Sequence, residues 1–265
     1  MTDIDADFET IRIESPAEYV GELVLDRPDS MNTVNREMLE ELGEAIDLLE
    51  ADEDVRAIYV TGEGEKAFCA GADVQSTGAM DHREGVEHSR LGQQTFGRLR
   101  ESDLPVVAGI DGYALGGGLE LSMCADLRVA SESSQLGLPE HNLGLLPGWG
   151  GTQRLQRLIG ESAAKYVVFT ADRLSAERMR EFGFVHEVYP DDEFEERALE
   201  FAEQIAGGPP ISQRYTKRAM REGWDDIDAG LEIEAQAFGH LLDSEDLAAG
   251  ITAFVTDSEP EFEGK

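Results

Sequence analysis

The chain has 265 residues, of which 22 are Lys or Arg and 56 are Asp or Glu, so its formal charge is −34. Nucleic acids and anionic membranes attract proteins through Lys and Arg, so this charge argues against both classes of partner. The hydrophobic fraction of 41% still allows a substantial core, and the length suits one large domain or two modest ones.

The acidic residues are spread along the whole chain, and only four of the basic residues are lysines. This composition resembles that of halophilic proteins from a salt-saturated cytoplasm, in which salt screens the repulsion between like charges. We therefore expect the fold to weaken at low salt.

Two further features concern the cell compartment. Cys69 and Cys124 have no CxxC spacing, which argues against a disulfide scaffold and against a cysteine-ligated metal site. Residues 1–8 carry acids where a secretory signal has a basic segment, and no apolar run of about 18 residues occurs. The sequence predicts a cytoplasmic protein.

In chain order, the first half alternates predicted strands and helices. A turn is predicted at Glu14–Pro16, between the first two strands. The predicted strands are Thr10–Ile13, Val20–Leu25, Val55–Val60, Val106–Ile110, Leu127–Ala130 and Gln135–Leu138, and the predicted helices are Thr33–Glu50, about 84–101 and Leu119–Ala125.

Beyond Pro147 the pattern becomes almost entirely helical. Helices are predicted near 151–159, 161–170, 175–181, 192–206, 210–221, 229–241 and 244–255. No linker separates the two halves, so we expect an α/β domain with a helical appendage.

Three segments combine glycine with acidic residues: Lys66–Asp73, Gly112–Glu120 and Leu138–Arg154. Glycine runs leave peptide N–H groups accessible, and the first amides of a helix carry a partial positive charge. These segments can therefore hold an anion or a developing oxyanion, although none has the spacing of a nucleotide-binding loop.

Glu120 and Glu140 lie in two of these segments, twenty positions apart. Two carboxyl groups can divide acid and base work if their surroundings separate their pKa values. The sequence alone does not show that the two meet.

Other candidate residues have simpler interpretations. Ser162–Lys165 matches an SxxK pattern but lacks its companion motifs, and His82 and His88, six positions apart, are expected at the surface. His141 should point away from its neighbour on an alternating segment. Trp149 either forms a pocket wall or packs a loop against a helix.

Taken together and in this order, the three segments resemble those of the enoyl-CoA hydratase family, also called the crotonase superfamily. The likeness runs from about Ile11 to Phe254 and includes Leu25–Pro28 and Gly150–Leu155. It implies an α/β crotonase (ClpP/crotonase-like) fold, with a repeated ββα spiral core and a helical C-terminal trimerisation region. The implied divisions are an acidic tail (1–9), the core (10–200), the helical region (201–257) and a second acidic tail (258–265).

The resemblance implies that a thioester enolate forms during catalysis. The N–H groups of Ala72 and Gly117 would form an oxyanion hole, which is typically worth about 3 to 4 kcal/mol of barrier per donor. Glu120 would hold or activate the water that attacks C3, and Glu140 would deliver the proton to C2. The implied substrate-binding residues are Met31, Lys66, Ala70, Asp73, Val74, Gly116 and Gly148.

The chain also departs from the family pattern. Basic residues that commonly hold coenzyme A phosphates are replaced by Asp29 and Gln75, and the basic carboxyl-terminal segment is replaced by Thr256–Glu259. Lys66 remains as a phosphate partner.

Because both glutamates are present, the resemblance favours hydration of a 2-trans-enoyl-CoA in fatty acid β-oxidation or related metabolism. It implies no metal, no redox cofactor, an acyl-CoA substrate, and a homotrimer or homohexamer. The alternatives are a Δ3,Δ2-enoyl-CoA isomerase or another acyl-CoA enzyme of the fold, and a non-catalytic member that binds acyl-CoA or RNA.

Overall fold

The computed structural model describes residues 7–73 and 78–265, and the fold is given for these residues. Their strands form one six-stranded and one three-stranded sheet. The strands are β1 (Ile11–Ala17), β2 (Val20–Leu25), β3 (Ala57–Gly62), β4 (Val106–Ile110), β5 (Tyr113–Leu115), β6 (Leu127–Ser131), β7 (Gln135–Gly137), β8 (Leu174–Ser175) and β9 (Glu187–Tyr189).

Helices follow most of these strands. Short 3-10 helices cover Pro28–Ser30 and Pro139–Leu143. The α-helices are α1 (Arg36–Ala51), α2 (His82–Glu101), α3 (Gly117–Ser122), α4 (Gly151–Ile159), α5 (Glu161–Thr170), α6 (Ala176–Glu181), α7 (Phe194–Ala206), α8 (Pro210–Glu222), α9 (Ile227–Leu241) and α10 (Glu245–Thr256).

The large sheet has the strand order β1-β2-β3-β4-β6-β9. In this sheet β1 and β2 are antiparallel, and the pairs β2–β3, β3–β4, β4–β6 and β6–β9 are parallel. The central strand β4 is buried at every residue, as expected for a parallel strand that is covered on both faces.

The small sheet places two loop segments side by side. β4 leads directly into β5 and β6 into β7, so that β5 and β7 become parallel neighbours with Leu115 opposite Gly137. The Gly116 N–H donates to the Gly137 carbonyl at 2.9 Å. Parallel strands end at the same edge, so α3 and the 3-10 helix that follows β7 begin next to each other.

Helices α1 and α2 close one side of the core. The apolar stripe of α1 is buried, including Leu39, Leu42 and Ile46, and the Asn35 side chain accepts the Met38 N–H at its N-terminus. Helix α2 starts with a reciprocal capping box between Asp81 and Glu84.

The structure confirms the predicted alternation of strands and helices, with strand Val106–Ile110 and helices 151–159 and 161–170 at the predicted bounds. The predicted turn at Glu14–Pro16 is wrong. Strand β1 continues through Ala17, and the chain reverses at Tyr19, whose φ is 64°. Proline is tolerated there because β1 lies at the sheet edge, where its missing N–H breaks no ladder bond.

Other elements differ from the prediction by position or were not predicted. The first helix begins at Arg36 and not at Thr33, and the third strand spans Ala57–Gly62. Strands β5, β8 and β9 and both 3-10 helices have too few residues to produce a period in the sequence. The division of the chain at residues 10, 201 and 258 stays a prediction.

The ending predicted as an acidic tail is exposed over residues 257–261, and its last residues are held by hydrogen bonds to α10 and to Arg56. The N–H groups of Glu263 and Gly264 donate to the Asp246 carboxylate at 2.8 and 3.1 Å. Arg56 donates to the Phe262 carbonyl at 2.8 Å. None of the helices described in the structure is long and apolar enough to cross a bilayer.

Candidate active site

A cleft of about 370 Å³ opens where the edge of the small sheet meets helix α2 and the loop before α4. Its lining includes most of the predicted site residues. These are Ala70, Ala72, Gly116, Gly117, Glu120, Glu140 and Gly148.

Two peptide N–H groups face this cleft. The Val34 N–H donates to the Gly71 carbonyl, and the Val34 carbonyl accepts the Asp73 N–H. Because successive N–H groups of an extended segment point to opposite sides, the Ala72 N–H points away from Val34. Gly117 is the first residue of α3. Within the described residues, neither the Ala72 nor the Gly117 N–H donates to a protein acceptor.

The two N–H groups are close together. A Cβ added at Gly117 would lie 3.4 Å from the Ala72 nitrogen, and one added at Gly71 would lie 3.4 Å from the Gly117 nitrogen. Gly116, with φ of 53° and ψ of −122°, makes the turn that starts α3. A side chain at residue 116 would be strained there and would also approach Glu140 Oε1 to 3.1 Å.

Glu120 is buried to 2% exposure, one turn into α3. Its Oε1 accepts the N–H groups of Trp149 and Gly151 at 2.8 and 2.7 Å, so that Oε2 is left for a ligand in the cleft. Burial raises the pKa of Glu120 to about 7, and the nearby Glu140 carboxyl adds to the shift, while the two N–H donors oppose it.

Glu140 lies in the 3-10 helix after β7, on the opposite side of the Gly116 turn. Burial raises its pKa to about 7 as well. Its Oε2 is buried and has no hydrogen-bond partner among the described residues. The two glutamates thus line one cleft in different surroundings. The Glu120 carboxylate accepts the Trp149 and Gly151 N–H groups of the loop, and the Glu140 carboxylate accepts neither.

Trp149 both walls the cleft and packs its loop against a helix, which were the two alternatives drawn from the sequence. The residue is 3% exposed, and its ring meets Phe96 edge-on at 5.3 Å. Added Cβ atoms at Gly92 and Gly117 would approach this ring to 2.3 Å. The indole therefore requires glycine both on α2 and at the start of α3.

His82 is exposed, as predicted, whereas His88 is half-buried and lines the cleft instead of lying on the outer surface. Its ring meets Trp149 edge-on at 5.2 Å, and Nε2 is buried without a partner among the described residues. Burial lowers its pKa. The spacing of His88, Gly92 and Phe96 by four residues places all three on one face of α2, which is the pattern that would have identified it.

Several other predicted residues lie outside the cleft. Met31 accepts the Ala70 N–H through its carbonyl at 3.0 Å, and Lys66 is exposed. Asp73 is not part of the lining, and Val74 lies outside the described residues. His141 is absent from the cleft lining and stacks on Phe169 at 5.8 Å, but it lies in a 3-10 helix and not on the alternating segment from which its direction was predicted. The binding roles given to these residues stay predictions.

Comparison with known proteins assigns the chain to a family. A family model described as enoyl-CoA hydratase/isomerase matches residues 16–265. A short-chain-enoyl-CoA hydratase from Clostridium acetobutylicum is 39% identical over 89% of this chain and 91% of its own length. A crotonyl-CoA hydratase from Syntrophomonas wolfei is 37% identical, over 97% of this chain and 99% of its own.

Solved structures agree with this assignment. The crystal structure of an enoyl-CoA hydratase from Bacillus anthracis matches with a TM-score of 0.92 and 37% identity, covering 97% of this chain and all of the other. The expected α/β crotonase fold, with its two sheets and C-terminal helical region, is therefore confirmed. The chain belongs to the enoyl-CoA hydratase/isomerase, or crotonase, family.

Proposed function

We propose that this protein is an enoyl-CoA hydratase, which adds water reversibly and syn to a 2-trans-enoyl-CoA to give a 3-hydroxyacyl-CoA. One observation carries the proposal: two carboxyl groups, Glu120 and Glu140, line the same cleft as the N–H groups of Ala72 and Gly117, for which the described residues offer no acceptor. The hydratase names of its relatives are consistent with it.

In this proposal the Ala72 and Gly117 N–H groups donate to the thioester carbonyl oxygen. When water attacks C3, the electrons of the C2–C3 double bond move through C2 and C1 onto that oxygen. Fixed donors stabilise the negative charge of this enolate most strongly in a site from which water is excluded, typically by about 3 to 4 kcal/mol for each donor.

The two glutamates take different roles because their surroundings differ. Two N–H donors favour the carboxylate form of Glu120, which suits it to hold the water and remove its proton as the C3–O bond forms. Glu140 has no such donors at Oε2, and burial favours its protonated form, which suits it to protonate C2. The reverse reaction uses the same groups in opposite states.

The remaining wall of the cleft is suited to an acyl chain. Leu143, Leu145 and Leu146 line it and are 58%, 49% and 63% exposed, so a bound hydrocarbon would cover apolar surface that faces water in the free protein. Two relatives have short-chain and crotonyl substrates in their names, and we extend a short acyl chain to this protein as part of the proposal.

Four wider features are proposed with this function: a place in β-oxidation or related acyl-CoA metabolism, assembly into a homotrimer or homohexamer, a cytoplasmic location, and adaptation to high salt. The charge of −34 supports the last of these. Large apolar side chains on the C-terminal helices, such as Phe238 and Phe254 at 67% and 90% exposure, support assembly.

The decisive experiment is an assay with crotonyl-CoA. Water addition removes the conjugated enoyl thioester, so its ultraviolet absorbance falls as 3-hydroxybutyryl-CoA appears. A Δ3,Δ2-enoyl-CoA isomerase would instead convert a 3-enoyl-CoA to the conjugated isomer and leave crotonyl-CoA unchanged. Binding of crotonyl-CoA without turnover would contradict the proposal and favour a non-catalytic binding protein.

A further inference from the structure

A second cavity, of about 440 Å³, lies behind the loop that carries Gly148 and Trp149. We call it the arginine cavity, because Arg100, Arg154 and Arg157 line it. It shares Ser89, Leu146 and Gly148 with the cleft described above, so the two cavities are neighbours on either side of these residues.

Side chains of α2 hold the loop between the two cavities by hydrogen bonds. The Gly148 carbonyl accepts the Ser89 hydroxyl at 2.6 Å and the Gln93 amide at 2.9 Å. The Trp149 carbonyl accepts Arg154 Nη1 at 2.7 Å. The arginine cavity is therefore built on the same loop whose N–H groups hold Glu120.

The charge in this cavity is opposite to that of the protein as a whole. Three guanidinium groups face one acidic side chain of the lining, Asp225, within a chain of charge −34. Asp225 is 85% exposed; its carboxylate lies 4.0 Å from Arg157, and its negative charge also acts on Arg100. Such a concentration of positive charge attracts anions from solution.

Two of the three arginines lack a carboxylate partner within the described part of the chain. Arg154 is half-buried and donates only to the carbonyls of Trp149 and Gln93. Arg100 is half-buried as well, and its guanidinium lies 4.5 Å from the centre of the Trp224 ring. Burial and the positive charges of Arg154 and Arg157 lower the pKa of Arg100, while the charge of Asp225 opposes this shift without reversing it.

We propose that the arginine cavity binds a carboxylate group, supplied by the far end of an acyl chain that occupies the cleft or by a free small dicarboxylate. Guanidinium groups pair with carboxylates through two parallel N–H bonds, which gives both affinity and orientation. The first source rests on the proposed function, and it would make the 2-enoyl thioesters of dicarboxylic acids a preferred substrate class.

The test compares two thioesters of equal length: the trans-2-enoyl-CoA of a six-carbon dicarboxylic acid and trans-2-hexenoyl-CoA, which ends in a methyl group. The measured quantity is the ratio of their kcat/KM values, which cancels general effects on folding or on the acid and base groups. We expect Arg100→Gln and Arg157→Gln each to lower this ratio about tenfold, as for a charge-assisted hydrogen bond. Arg180→Gln removes an equal charge on α6, away from both cavities, and should leave the ratio unchanged.

A second arm measures adipate binding to the wild-type protein and to the same variants by calorimetry at fixed ionic strength. Weaker adipate binding in both cavity variants, with an unchanged kcat/KM ratio, would identify a free dicarboxylate as the occupant. If neither the ratio nor adipate binding depends on these arginines, the inference is wrong. Absence of hydration with both thioesters would overturn the proposed function, and the adipate arm would still decide whether the cavity binds carboxylates.

The melting temperature of each variant shows whether a lowered ratio comes from a folding defect. Arg157 is exposed, so Arg157→Gln provides a test even if the half-buried Arg100 proves necessary for folding. Wild-type melting with a lowered ratio supports the carboxylate site directly.

Discussion

Glu120 and Glu140 differ in what surrounds each carboxyl group, although burial raises the pKa of both to about 7. Glu120 is fixed by two backbone donors, whereas Glu140 Oε2 has no partner among the described residues. The same hydrogen bonds that orient Glu120 also favour its ionised form. At the residue scale, this asymmetry is the physical basis for assigning the base and the acid.

The first prediction concerns Glu140→Gln. The amide has nearly the same shape but cannot release a proton to C2, so we expect crotonyl-CoA hydration to fall by about 10²- to 10⁴-fold. The fold should be retained, because the substitution removes a buried ionisable group whose Oε2 has no donor in the part of the chain that the structure describes. Turnover and melting temperature are measured together, with exposed Glu177→Gln on α6 as the control. Wild-type turnover in Glu140→Gln would show that Glu140 is not the acid.

The second prediction uses the raised pKa of Glu120. The folded state holds the proton up to about pH 7, whereas the unfolded chain releases it near pH 4.5. The stability that this group contributes is therefore present below pH 4.5 and is lost as the pH rises toward 7. Glu120→Gln has no carboxyl group at this position to titrate, so it does not lose this stability as the pH rises. Its amide oxygen still accepts the N–H groups of Trp149 and Gly151.

We therefore expect the stability difference, Glu120→Gln minus wild type, to grow by about 1 to 3 kcal/mol between pH 5 and pH 8. Urea unfolding of both proteins at the two pH values measures it, since the other titrating groups are common to both. Turnover should fall strongly in the same variant. A stability difference that does not change with pH would mean that Glu120 titrates normally in the folded protein.

At the scale of elements, the start of α3 depends on its contact with the Trp149 ring. A Cβ at Gly117 would approach this ring to 2.3 Å, so Gly117→Ala must shift either the loop or the N–H that faces the cleft. We expect a loss of about 1 to 3 kcal/mol of stability, as for other overpacked sites, and a larger proportional loss of hydration. Gly239→Ala on α9 is the matched control, because a Cβ added there would meet no atom of another described segment within 4 Å. This variant should keep its stability and its rate of hydration.

Lys217 joins helix α8 to the rest of the protein. Its side chain is 9% exposed, and its Nζ contacts the Asp126 carboxylate at 2.7 Å and the carbonyls of Leu99 and Leu104 at 3.1 and 2.7 Å. Burial lowers its pKa, and the Asp126 charge opposes that shift.

The fourth prediction is therefore that Lys217→Ala lowers stability by about 1 to 3 kcal/mol, because the carbonyls of Leu99 and Leu104 lose their Nζ donor. The Asp126 carboxylate, 34% exposed, keeps the Val106 N–H as a donor at 2.8 Å. Lys165→Ala removes the same side chain from an exposed pair with Glu161 and should change stability by less than about 1 kcal/mol. Chemical unfolding of both variants measures the contrast. Equal effects would mean that α8 is held mainly by its apolar contacts.

The long elements could be predicted because their periods extend over several turns, as in α1, or over a whole buried strand, as in β4. Strand β5 could not, since its three residues show no period. Yet β5, paired in parallel with β7, is what brings Glu120 and Glu140 together. The family motifs pointed to both glutamates. The spacing of His88, Gly92 and Phe96 indicates a shared face of α2, but Trp149, the ring that this face contacts, is 61 positions from His88 and becomes its neighbour only in the fold.

At the scale of the whole molecule, the excess of acidic residues is a property of the surface and not of the core. The buried cluster is apolar, and most acids are exposed, including Glu195, Glu196, Glu200 and Glu203 on α7. Exposed like charges repel one another over roughly 10 Å at 0.1 M salt but over roughly 3 Å at 1 M. Folding brings these charges closer together, so dilute buffer should favour the unfolded chain.

The last prediction is that the melting temperature rises as KCl is increased from dilute buffer to molar concentration. Replacing the four α7 glutamates by glutamine removes four negative charges without altering the apolar face of the helix, so this variant should melt higher in dilute buffer and gain less from KCl. General salting-out would raise the melting temperatures of both proteins equally, because it strengthens the burial of apolar surface, which is the same in both. Equal salt slopes in the two proteins would therefore assign the effect to salting-out, and only a smaller slope in the variant attributes it to charge repulsion.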